Sequence, residues 1–335
     1  MKIMVFDVPA ESGGALTVLH EFYNEFKKDI SNEYILVVSK PKLKETQNTK
    51  VLRFPWIKKS WIHRIFFDQF IAPRLIKKFA VDKVISLQNI MISHSKVYQT
   101  VYVHNALPFS DYKFSIFRNK FLWFYQNIIG KRILSSIKNS DQVIVQTEWM
   151  KSNCIRKLNI DEKKIIVMPP KVSSKAKGMF DCTNTSLSTF FYPANGAVFK
   201  NHNIIIDACI NLKDKGIYDY KVIFTLNGNE NKHIHELFVK VKSLELPIYF
   251  VGKLSHETVF EMYSKSVLIF PSSIETVGLP LLEAKIHNSP IITYKQPFSE
   301  EILAGYERVD FFVDLDSTVI SDLMKKMINR RLDYY

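Results

Sequence analysis

Two glutamates eight positions apart, Glu275 and Glu283, flank a Gly-Leu-Pro turn that opens an apolar run. The pattern predicts a strand ending near Pro271 and a helix whose first turn holds Pro280, a position that suits proline. The N-terminus of such a helix presents free backbone N–H groups and a positive dipole end, so it favours an anion such as a diphosphate. Carboxylates near such an anion site can accept hydrogen bonds from the hydroxyl groups of a sugar. The run therefore indicates a nucleotide-sugar site. The alternative, two glutamates met by chance, is disfavoured because a helix N-terminus alone favours only one carboxylate.

Short apolar runs alternate with helical patterns along most of the chain, which predicts an α/β protein with parallel sheets and covering helices. Strands are predicted over 2–7, 34–38, 83–87, 97–103, 142–145, 165–168, 189–192, 221–226, 248–251, 267–270, 290–293 and 311–313. Helices are predicted over 15–28, 61–79, 116–138, 148–158, 202–212, 232–243, 255–264, 281–287 and 318–329. Prolines and small polar residues interrupt this rhythm at 169–188 and indicate a linker. We therefore expect two doubly wound, Rossmann-like domains, 1–170 and 189–335, joined by a linker over 171–188. We expect them to face each other across a ligand-binding cleft.

The segment from Phe250 to Thr293 resembles the signature of retaining glycosyltransferases of the GT-B fold, family four, the group 1 transferases. The matching runs are Val251-Gly252-Lys253-Leu254, Glu261-Met262-Tyr263, Pro271-Ser272, Glu275 to Glu283 and Pro290-Ile291-Ile292, with Phe191-Tyr192-Pro193-Ala194 and Phe199-Lys200-Asn201-His202 upstream. The first half matches more loosely, through a glycine-rich loop, a histidine after a strand and residues 143–148. The resemblance implies that Glu275 contacts the donor sugar and Glu283 the ribose. It also implies that the N–H groups of Gly278 and Leu279 hold the diphosphate.

Lys200 follows a predicted strand and a short loop. Its position alone favours a solvated surface lysine, the usual fate of this residue type. The resemblance implies instead that Lys200 binds the donor phosphates as a catalytic cation. Many members of the family carry an arginine five residues earlier. This chain has Asn195 there, which can donate a hydrogen bond to the donor but has no charge.

Two features of the first half have both a structural and a functional interpretation. Gly13 and Gly14 follow Ser12 between the first strand and the first helix, where glycine lets a backbone approach a ligand; the alternative is a simple turn. His104 ends the strand predicted over 97–103, and the alternative is a histidine satisfied at a sheet edge. The resemblance implies that the glycine loop lies beside the donor phosphates and that His104 helps to bind the donor sugar near its reacting carbon.

The positive charge is confined to the first half. Residues 1–170 hold 27 Lys and Arg against 14 Asp and Glu, whereas residues 171–335 hold 19 of each, so the net charge of +13 belongs to the first domain. In 56–79 and 112–132, aromatic side chains alternate with cations such as Lys58, Lys59 and Arg64, a pattern typical of helices at an anionic membrane surface. The alternative is ordinary packing on the domain's own sheet. No nucleic-acid motif accompanies the charge, so we expect no nucleic acid as partner.

Composition is that of a globular protein, with 47% hydrophobic and 24% charged residues. Cys154, Cys182 and Cys209 are far apart and odd in number, which indicates neither a disulfide framework nor a metal site and favours a reducing compartment. Asp314-Leu315-Asp316 is interpreted as a turn and helix cap. The resemblance implies no catalytic metal and no cofactor, the nucleotide-diphosphate sugar being a co-substrate.

We therefore predict a metal-independent retaining glycosyltransferase of surface polysaccharide biosynthesis, such as lipopolysaccharide or capsule. It is expected to move a hexose-type sugar from a nucleotide-diphosphate donor to a lipid-linked saccharide. The first domain would bind this acceptor and the membrane, and the second the donor. We expect a cytoplasmic protein, peripheral on the inner face of the cell membrane. Two alternatives stay open: a non-catalytic nucleotide-sugar-binding scaffold, which Asn195 favours, and a nucleotide-sugar epimerase, for which no convincing acid/base carboxylates are found.

Overall fold

In the computed structural model, which describes residues 1–11, 13–117, 119–171 and 178–330, thirteen strands form two parallel sheets. One sheet lies in each of two units, residues 1–171 and 172–335. The strands of the first unit are β1 (Lys2–Asp7), β2 (Glu33–Val38), β3 (Thr49–Arg53), β4 (Lys83–Ser86), β5 (Tyr98–Val103), β6 (Gln142–Val145) and β7 (Ile165–Val167). Those of the second are β8 (Thr189–Tyr192), β9 (Lys221–Phe224), β10 (Ile248–Phe250), β11 (Val267–Phe270), β12 (Ile291–Tyr294) and β13 (Val309–Phe312).

Both sheets are doubly wound. The strand order is β3-β2-β1-β4-β5-β6-β7 in the first unit and β10-β9-β8-β11-β12-β13 in the second. In each, the winding reverses beside the first strand of the unit, between β1 and β4 and between β8 and β11. At such a reversal the loops leaving the two neighbouring strands diverge, which opens a crevice at the carboxyl ends of the strands.

Helices cover the faces of the sheets. In the first unit they are α1 (Gly13–Lys28), α2 (Trp61–Phe66), α3 (Ala72–Lys78), α4 (Lys120–Phe124), α5 (Gly130–Asn139) and α6 (Glu148–Leu158). In the second they are α7 (Asn184–Leu187), α8 (His202–Asp214), α9 (Lys232–Ser243), α10 (His256–Tyr263), α11 (Leu279–Ile286), α12 (Pro297–Ile302) and α13 (Ser317–Asn329). The expected cap of the last helix is confirmed, because the Asp316 carboxylate accepts the Thr318 N–H at 2.8 Å.

Side chains of β1 show how a central strand is buried on both faces. Ile3 and Val5 pack with Phe26 of α1 in one core cluster. Met4 and Phe6 point the other way and pack in a second cluster that contains Phe67 and Ile76. Because a parallel strand between two helical layers has no solvent face, β1 is an almost continuous apolar run.

Two helices predicted as single stretches are interrupted. A π-helical turn, Phe67–Ile71, separates α2 from α3, and a second, Tyr125–Ile129, separates α4 from α5. Pro73 gives a physical reason for the first: its ring would crowd the carbonyl four residues earlier, and it has no N–H to donate there. In the wider turn the Ala72 N–H donates to the Phe67 carbonyl, five residues back.

Three further elements differ from the sequence-based expectation. The half-polar edge strand β3 and the six-residue α12 were not predicted. The third difference lies in the segment assigned to the linker. Residues 172–177 of that segment fall outside the described residues, but 178–188 pack on the second unit. The Phe180 N–H donates to the His287 carbonyl at 2.6 Å, and α7 begins with a capping box between Thr183 and Ser186.

Asp7, the last residue of β1, is 1% exposed. Burial raises the pKa of its carboxyl to about 8, although the Ala10 amide and the charges of Arg64 and Lys58 oppose this shift. The unfolded chain ionises this group near pH 3.8. The proton is therefore bound more tightly in the folded state, and the stability it contributes is lost as the pH rises from about 4 to about 8.

We expect Asp7→Asn to remove this pH dependence. The difference between the free energies of unfolding of the variant and the wild type should rise in favour of the variant by up to roughly 1.4 kcal/mol per pH unit between pH 4 and 8. Above pH 8 this difference should stay constant. Urea denaturation at several pH values measures it, with exposed Asp314→Asn as the control. A difference between variant and wild type that stays constant over this range would contradict a buried, protonated Asp7.

Candidate functional site

Lys200 and Glu275, which are 75 positions apart in the chain, form a salt bridge in the second unit. Lys200 ends the 3-10 turn Val198–Lys200 after β8, and Glu275 lies in the loop after β11. Because β8 and β11 are hydrogen-bonded neighbours, both loops leave the same edge of the sheet where the winding reverses. The two side chains are only 12% and 17% exposed. The structure thus brings together two of the predicted site residues at the point where doubly wound sheets bind ligands.

Backbone and side-chain hydrogen bonds hold these two loops against each other. Asn201 adopts a left-handed conformation, φ 56°, and its Nδ2 donates to the Pro271 carbonyl at 2.8 Å and to Ser273 Oγ at 2.6 Å. The Ser273 N–H donates to the Phe199 carbonyl at 3.0 Å. Asparagine tolerates positive φ better than most residues, so it can both make the turn and bridge the loops. Sequence reasoning quoted Asn201 only as part of a motif and missed this positioning role.

The N-terminus of α11 follows Glu275. Gly278 precedes the helix with φ 74°, and a Cβ added there would lie 3.2 Å from Leu281 Cδ1, so both conformation and space favour glycine. The Leu281 N–H donates to the Gly278 carbonyl at 2.8 Å, and Pro280 occupies the first turn as predicted. The first-turn N–H groups and the dipole of an eight-residue helix therefore begin three residues from the Glu275 carboxylate.

Glu283 lies further along α11 and has its own partners. Tyr263 of α10 donates its hydroxyl to Oε2 at 2.8 Å, and His256 Nε2 lies 3.7 Å from Oε1. The Glu283 side chain is 13% exposed, and burial raises its pKa to about 7, against the lowering effect of the Tyr263 hydrogen bond. Tyr263 was quoted in the family pattern without a role, and His256 was not singled out. The sequence does not indicate that either residue contacts Glu283, because α10 and α11 come together only through tertiary packing.

Asn195 is exposed in the loop between β8 and α8. Its Oδ1 accepts the Ala197 N–H at 3.1 Å, so the side chain stabilises its own turn. The next residue needs to be glycine, because a Cβ on Gly196 would lie 2.7 Å from Ile234 Cγ1. Donor binding by Asn195 stays a prediction.

In the first unit, His104 follows β5. Its N–H donates to Asn89 Oδ1 at 2.7 Å, and its Nε2 lies 3.0 Å from the Leu87 carbonyl oxygen. Nε2 also lies 3.2 Å from Asn89 Nδ2, so the ring is held between a carbonyl oxygen and an amide nitrogen. Burial lowers the pKa of the imidazole and favours its neutral form. These contacts fix the position of the ring, while a role in binding the donor sugar stays a prediction.

Gly13 and Gly14 begin α1 and are exposed. Gly13 has φ 60°, in the left-handed region that favours glycine, and an added Cβ would meet nothing within 4 Å. Ser12, quoted with them, lies outside the described residues. The loop therefore requires glycine for its conformation, and contact with donor phosphates stays a prediction.

Two properties of the described residues complete the description. Every helix there is too short or too polar to span a bilayer. In the same parts of the chain, no three His, Cys, Asp or Glu side chains gather as metal ligands would.

Comparisons with known proteins relate this geometry to a family. Residues 185–333 match the family described as Glycosyl transferases group 1. The O-antigen chain mannosyltransferase RfbU of Salmonella typhimurium is 24% identical over 243 residues, which are 71% of this chain and 64% of that enzyme. The match thus spans less than two thirds of the relative's own length.

Solved structures with little sequence identity share the fold. Anabaena Alr3699/HepE, in complex with UDP-glucose, has a TM-score of 0.70 at 12% identity over 99% of this chain and 91% of its own. WaaG, a glycosyltransferase involved in lipopolysaccharide biosynthesis, has a TM-score of 0.71 at 10% identity over 98% of this chain and 90% of its own. These likenesses confirm the predicted GT-B fold.

The Lys200–Glu275 pair gives a testable coupling. Either Lys200→Met or Glu275→Gln leaves the other charge mostly buried without its partner, so each should lower the free energy of unfolding by roughly 1–3 kcal/mol. The double variant should lose less than the sum, with a coupling energy of roughly 1–2 kcal/mol. Urea denaturation of the full chain measures all four proteins.

The matched control for this cycle is the exposed pair Lys215 and Asp322, 2.8 Å apart with side chains 40% and 61% exposed. Its coupling should be below about 1 kcal/mol. Strictly additive losses at Lys200 and Glu275 would show that the two side chains do not stabilise each other.

Proposed function

We propose that this chain, whose residues 185–333 match the group 1 glycosyl transferases, is a retaining glycosyltransferase. It takes a hexose-type sugar from a nucleotide-diphosphate donor and transfers it to a lipid-linked saccharide in surface polysaccharide biosynthesis. The observation that carries the proposal is the joining of Lys200 to Glu275 beside the N-terminus of α11.

In this proposal the donor enters between the members of that ion pair. Lys200 and the N–H groups of Gly278 and Leu279 bind the diphosphate, and Glu275 accepts hydrogen bonds from sugar hydroxyls. The bond between the anomeric carbon and the diphosphate oxygen breaks, and the acceptor oxygen bonds to the same face of that carbon. The acceptor proton passes to the departing phosphate, so no protein nucleophile is needed. Preorganised donors that stabilise the charge on the diphosphate each lower the barrier by roughly 3–4 kcal/mol.

Glu283 would bind the ribose hydroxyls of the donor. Its carboxylate is held by Tyr263 at 2.8 Å, so the oxygen that faces His256 is the one available to a ligand. Deep burial keeps this group from full solvation, and a ribose diol would replace the missing water. The role is consistent with the family resemblance and with the position of Glu283 on the same helix as Gly278 and Leu279.

Glu275→Gln tests the catalytic proposal. The amide keeps the size of the side chain but accepts weaker hydrogen bonds from sugar hydroxyls, so we expect turnover at least 100-fold below wild type. The melting temperature should fall only by the several degrees that loss of the ion pair with Lys200 accounts for, so the variant stays folded in the assay. Released nucleotide is measured with a panel of uridine-, guanosine- and thymidine-linked sugars, with and without lipid-linked acceptor. Glu236→Gln, on the exposed face of α9, is the control. Unaltered turnover would remove Glu275 from the site.

The same assay separates a second candidate. A non-catalytic scaffold would bind nucleotide-sugar and release no nucleotide with any acceptor. Asn195 favours this reading, because its uncharged side chain is engaged by the Ala197 N–H. The ion pair at the sheet edge favours the enzyme, since a cation beside the phosphate site serves a leaving group.

An exposed apolar surface in the first unit supports peripheral membrane binding. We call it the aromatic surface; it comprises Trp61, Ile62, Phe66, Phe70, Phe117, Phe121 and Phe124. The rings of Trp61 and Phe124 lie 5.9 Å apart, so its two chain segments meet. Large exposed apolar patches mark interaction sites, and the excess positive charge of residues 1–170 makes an anionic lipid surface the fitting partner. A lipid-linked acceptor would be found at that surface, on the inner face of the cell membrane.

The cations expected to face the membrane are corrected in part. Lys58 donates to the Pro9 carbonyl at 3.0 Å, and Arg64 Nε donates to the buried Asp68 at 2.8 Å. Both cations are thus bound to groups within the unit; Lys58 and Lys59 are exposed residues, and Arg64 is half-buried. The apolar side chains are the better target for a test.

Replacing Phe117 and Phe121, which are 91% and 64% exposed, with serine should release the protein from vesicles. We expect at least tenfold weaker binding to vesicles of phosphatidylglycerol and phosphatidylcholine, because apolar burial in the interface is lost. Vesicle sedimentation measures it. The control replaces Tyr218 and Tyr249, exposed aromatics of the second unit, with serine. Undiminished binding of the Phe117 and Phe121 variant would exclude the aromatic surface as the membrane contact.

A further inference from the structure

We infer that a cavity in the first unit binds a phosphorylated sugar, and that this is the head group of the acceptor. The inference rests on the proposed function and names the chemical class of its acceptor. The cavity has a volume of about 360 Å³ and is lined by Trp61, Arg64, Asp68, Gln88, Tyr125 and Arg132 among others.

The position of the cavity is that of a ligand site. Its walls come from the loop after β1, which contributes Pro9, and from the loop after β4, which contributes Gln88 and Ile90. β1 and β4 are neighbours at the reversal of winding in the first sheet. The segment 57–60 and the two interrupted helical stretches, 61–78 and 120–139, supply the remaining wall. The cavity is thus the crevice that doubly wound sheets use for ligands.

Two side chains that line the cavity each contain a buried polar atom without a partner. Asp68 and Gln88 are 4% and 3% exposed, and neither Asp68 Oδ1 nor Gln88 Nε2 has a hydrogen bond within the described residues. Their other atoms are engaged: Asp68 Oδ2 accepts from Arg64 at 2.8 Å, and Gln88 Oε1 accepts the Val8 N–H at 3.4 Å. An unpaired buried acceptor and donor are costly, so a ligand that satisfies both is favoured. Sugar hydroxyls fit, because each donates one hydrogen bond and also accepts.

The charge of the cavity points to an anion. Three cations line it, Lys58, Arg64 and Arg132, against the single carboxylate of Asp68. Lys58 and Arg64 are already bound, but the Arg132 guanidinium has no hydrogen bond or ion pair to any described residue. A free, planar guanidinium binds phosphate oxygens in pairs. The ligand therefore combines hydroxyls with a phosphoryl group.

The apolar wall favours a sugar attached to lipid. Trp61 and Tyr125 line the cavity, and aromatic faces suit the C–H side of a sugar ring. Trp61 is also 47% exposed and belongs to the aromatic surface. One residue therefore connects the cavity to the proposed membrane contact. A sugar phosphate held by Arg132 would place an attached lipid chain along that surface.

Isothermal titration of the full chain tests the inference with four probes: α-D-glucose 1-phosphate, α-D-mannose 1-phosphate, glucose and inorganic phosphate. We expect at least one sugar phosphate to bind tenfold or more tightly than both glucose and phosphate. A smaller gap to phosphate would mean a simple anion site, and a smaller gap to glucose a neutral-sugar site. Either result overturns the inference, and so does a titration in which neither sugar phosphate binds.

Arg132→Gln should weaken binding of the sugar phosphate at least tenfold, through loss of its phosphate contact. The matched control is Lys131→Gln. It removes the same charge from the preceding residue of α5, which is exposed, and should change binding less than twofold. If Arg132→Gln lowers the melting temperature, Gln88→Met serves instead; it removes the free amide donor and should also weaken binding. Unchanged binding in the variant that keeps its melting temperature assigns the ligand elsewhere.

Nucleotide-sugar binding measured on the same samples separates this inference from the proposed function. Arg132→Gln should leave donor binding as in wild type. Sugar-phosphate binding without any nucleotide-sugar binding would overturn the proposed function and leave the cavity assignment standing. Nucleotide-sugar turnover without any binding of the sugar phosphates would overturn the cavity assignment and leave the proposed function standing.

Discussion

The pairing of Lys200 with Glu275 is the interaction on which the candidate site depends. Neither charge would be kept 12% and 17% exposed without the other, because removing an ion from water is costly unless a partner or ligand compensates. The pair exists because β8 and β11 are neighbours and because Asn201 binds both the Pro271 carbonyl and Ser273. In the proposed reaction a diphosphate sugar supplies an anion for Lys200 and hydroxyls for Glu275. In the unliganded protein, the Lys200 ammonium and the Glu275 carboxylate thus stay in position because each compensates the charge of the other.

The same topological rule acts in both units. Each sheet reverses its winding beside its first strand, and polar groups that could bind a ligand lie at each reversal. In the second unit these are Lys200, Glu275 and the N–H groups at the start of α11. In the first they are Asp68 and Gln88 on the wall of a cavity that also holds Arg132. In the proposed reaction, a diphosphate site in the second unit and a sugar-phosphate site in the first would supply the two binding functions that glycosyl transfer requires.

Much of the fold could be predicted from local pattern. The strands 2–7, 142–145, 189–192 and 267–270 have the predicted bounds, because both faces of each strand are largely buried and its sequence is mostly apolar. β3 was missed since an edge strand buries only part of its surface and contains Lys50 and Arg53. The π turns were missed because a π turn adds one residue to a helix without changing its apolar character. The linker was drawn too long, since its polar composition hid the docking of Phe180.

By itself, the sequence determined most of the strands and helices, and that Glu275, Gly278 and Glu283 surround one helix start. These are local properties of spacing, conformation and burial. Only the tertiary structure decided that Glu275 is joined to Lys200, that Tyr263 holds Glu283 and that Lys58 and Arg64 bind groups of their own unit. It alone gathered Asp68, Gln88 and Arg132 around one cavity. The reason is physical: partners distant in the chain are chosen by strand order and helix packing, which no short stretch of residues encodes.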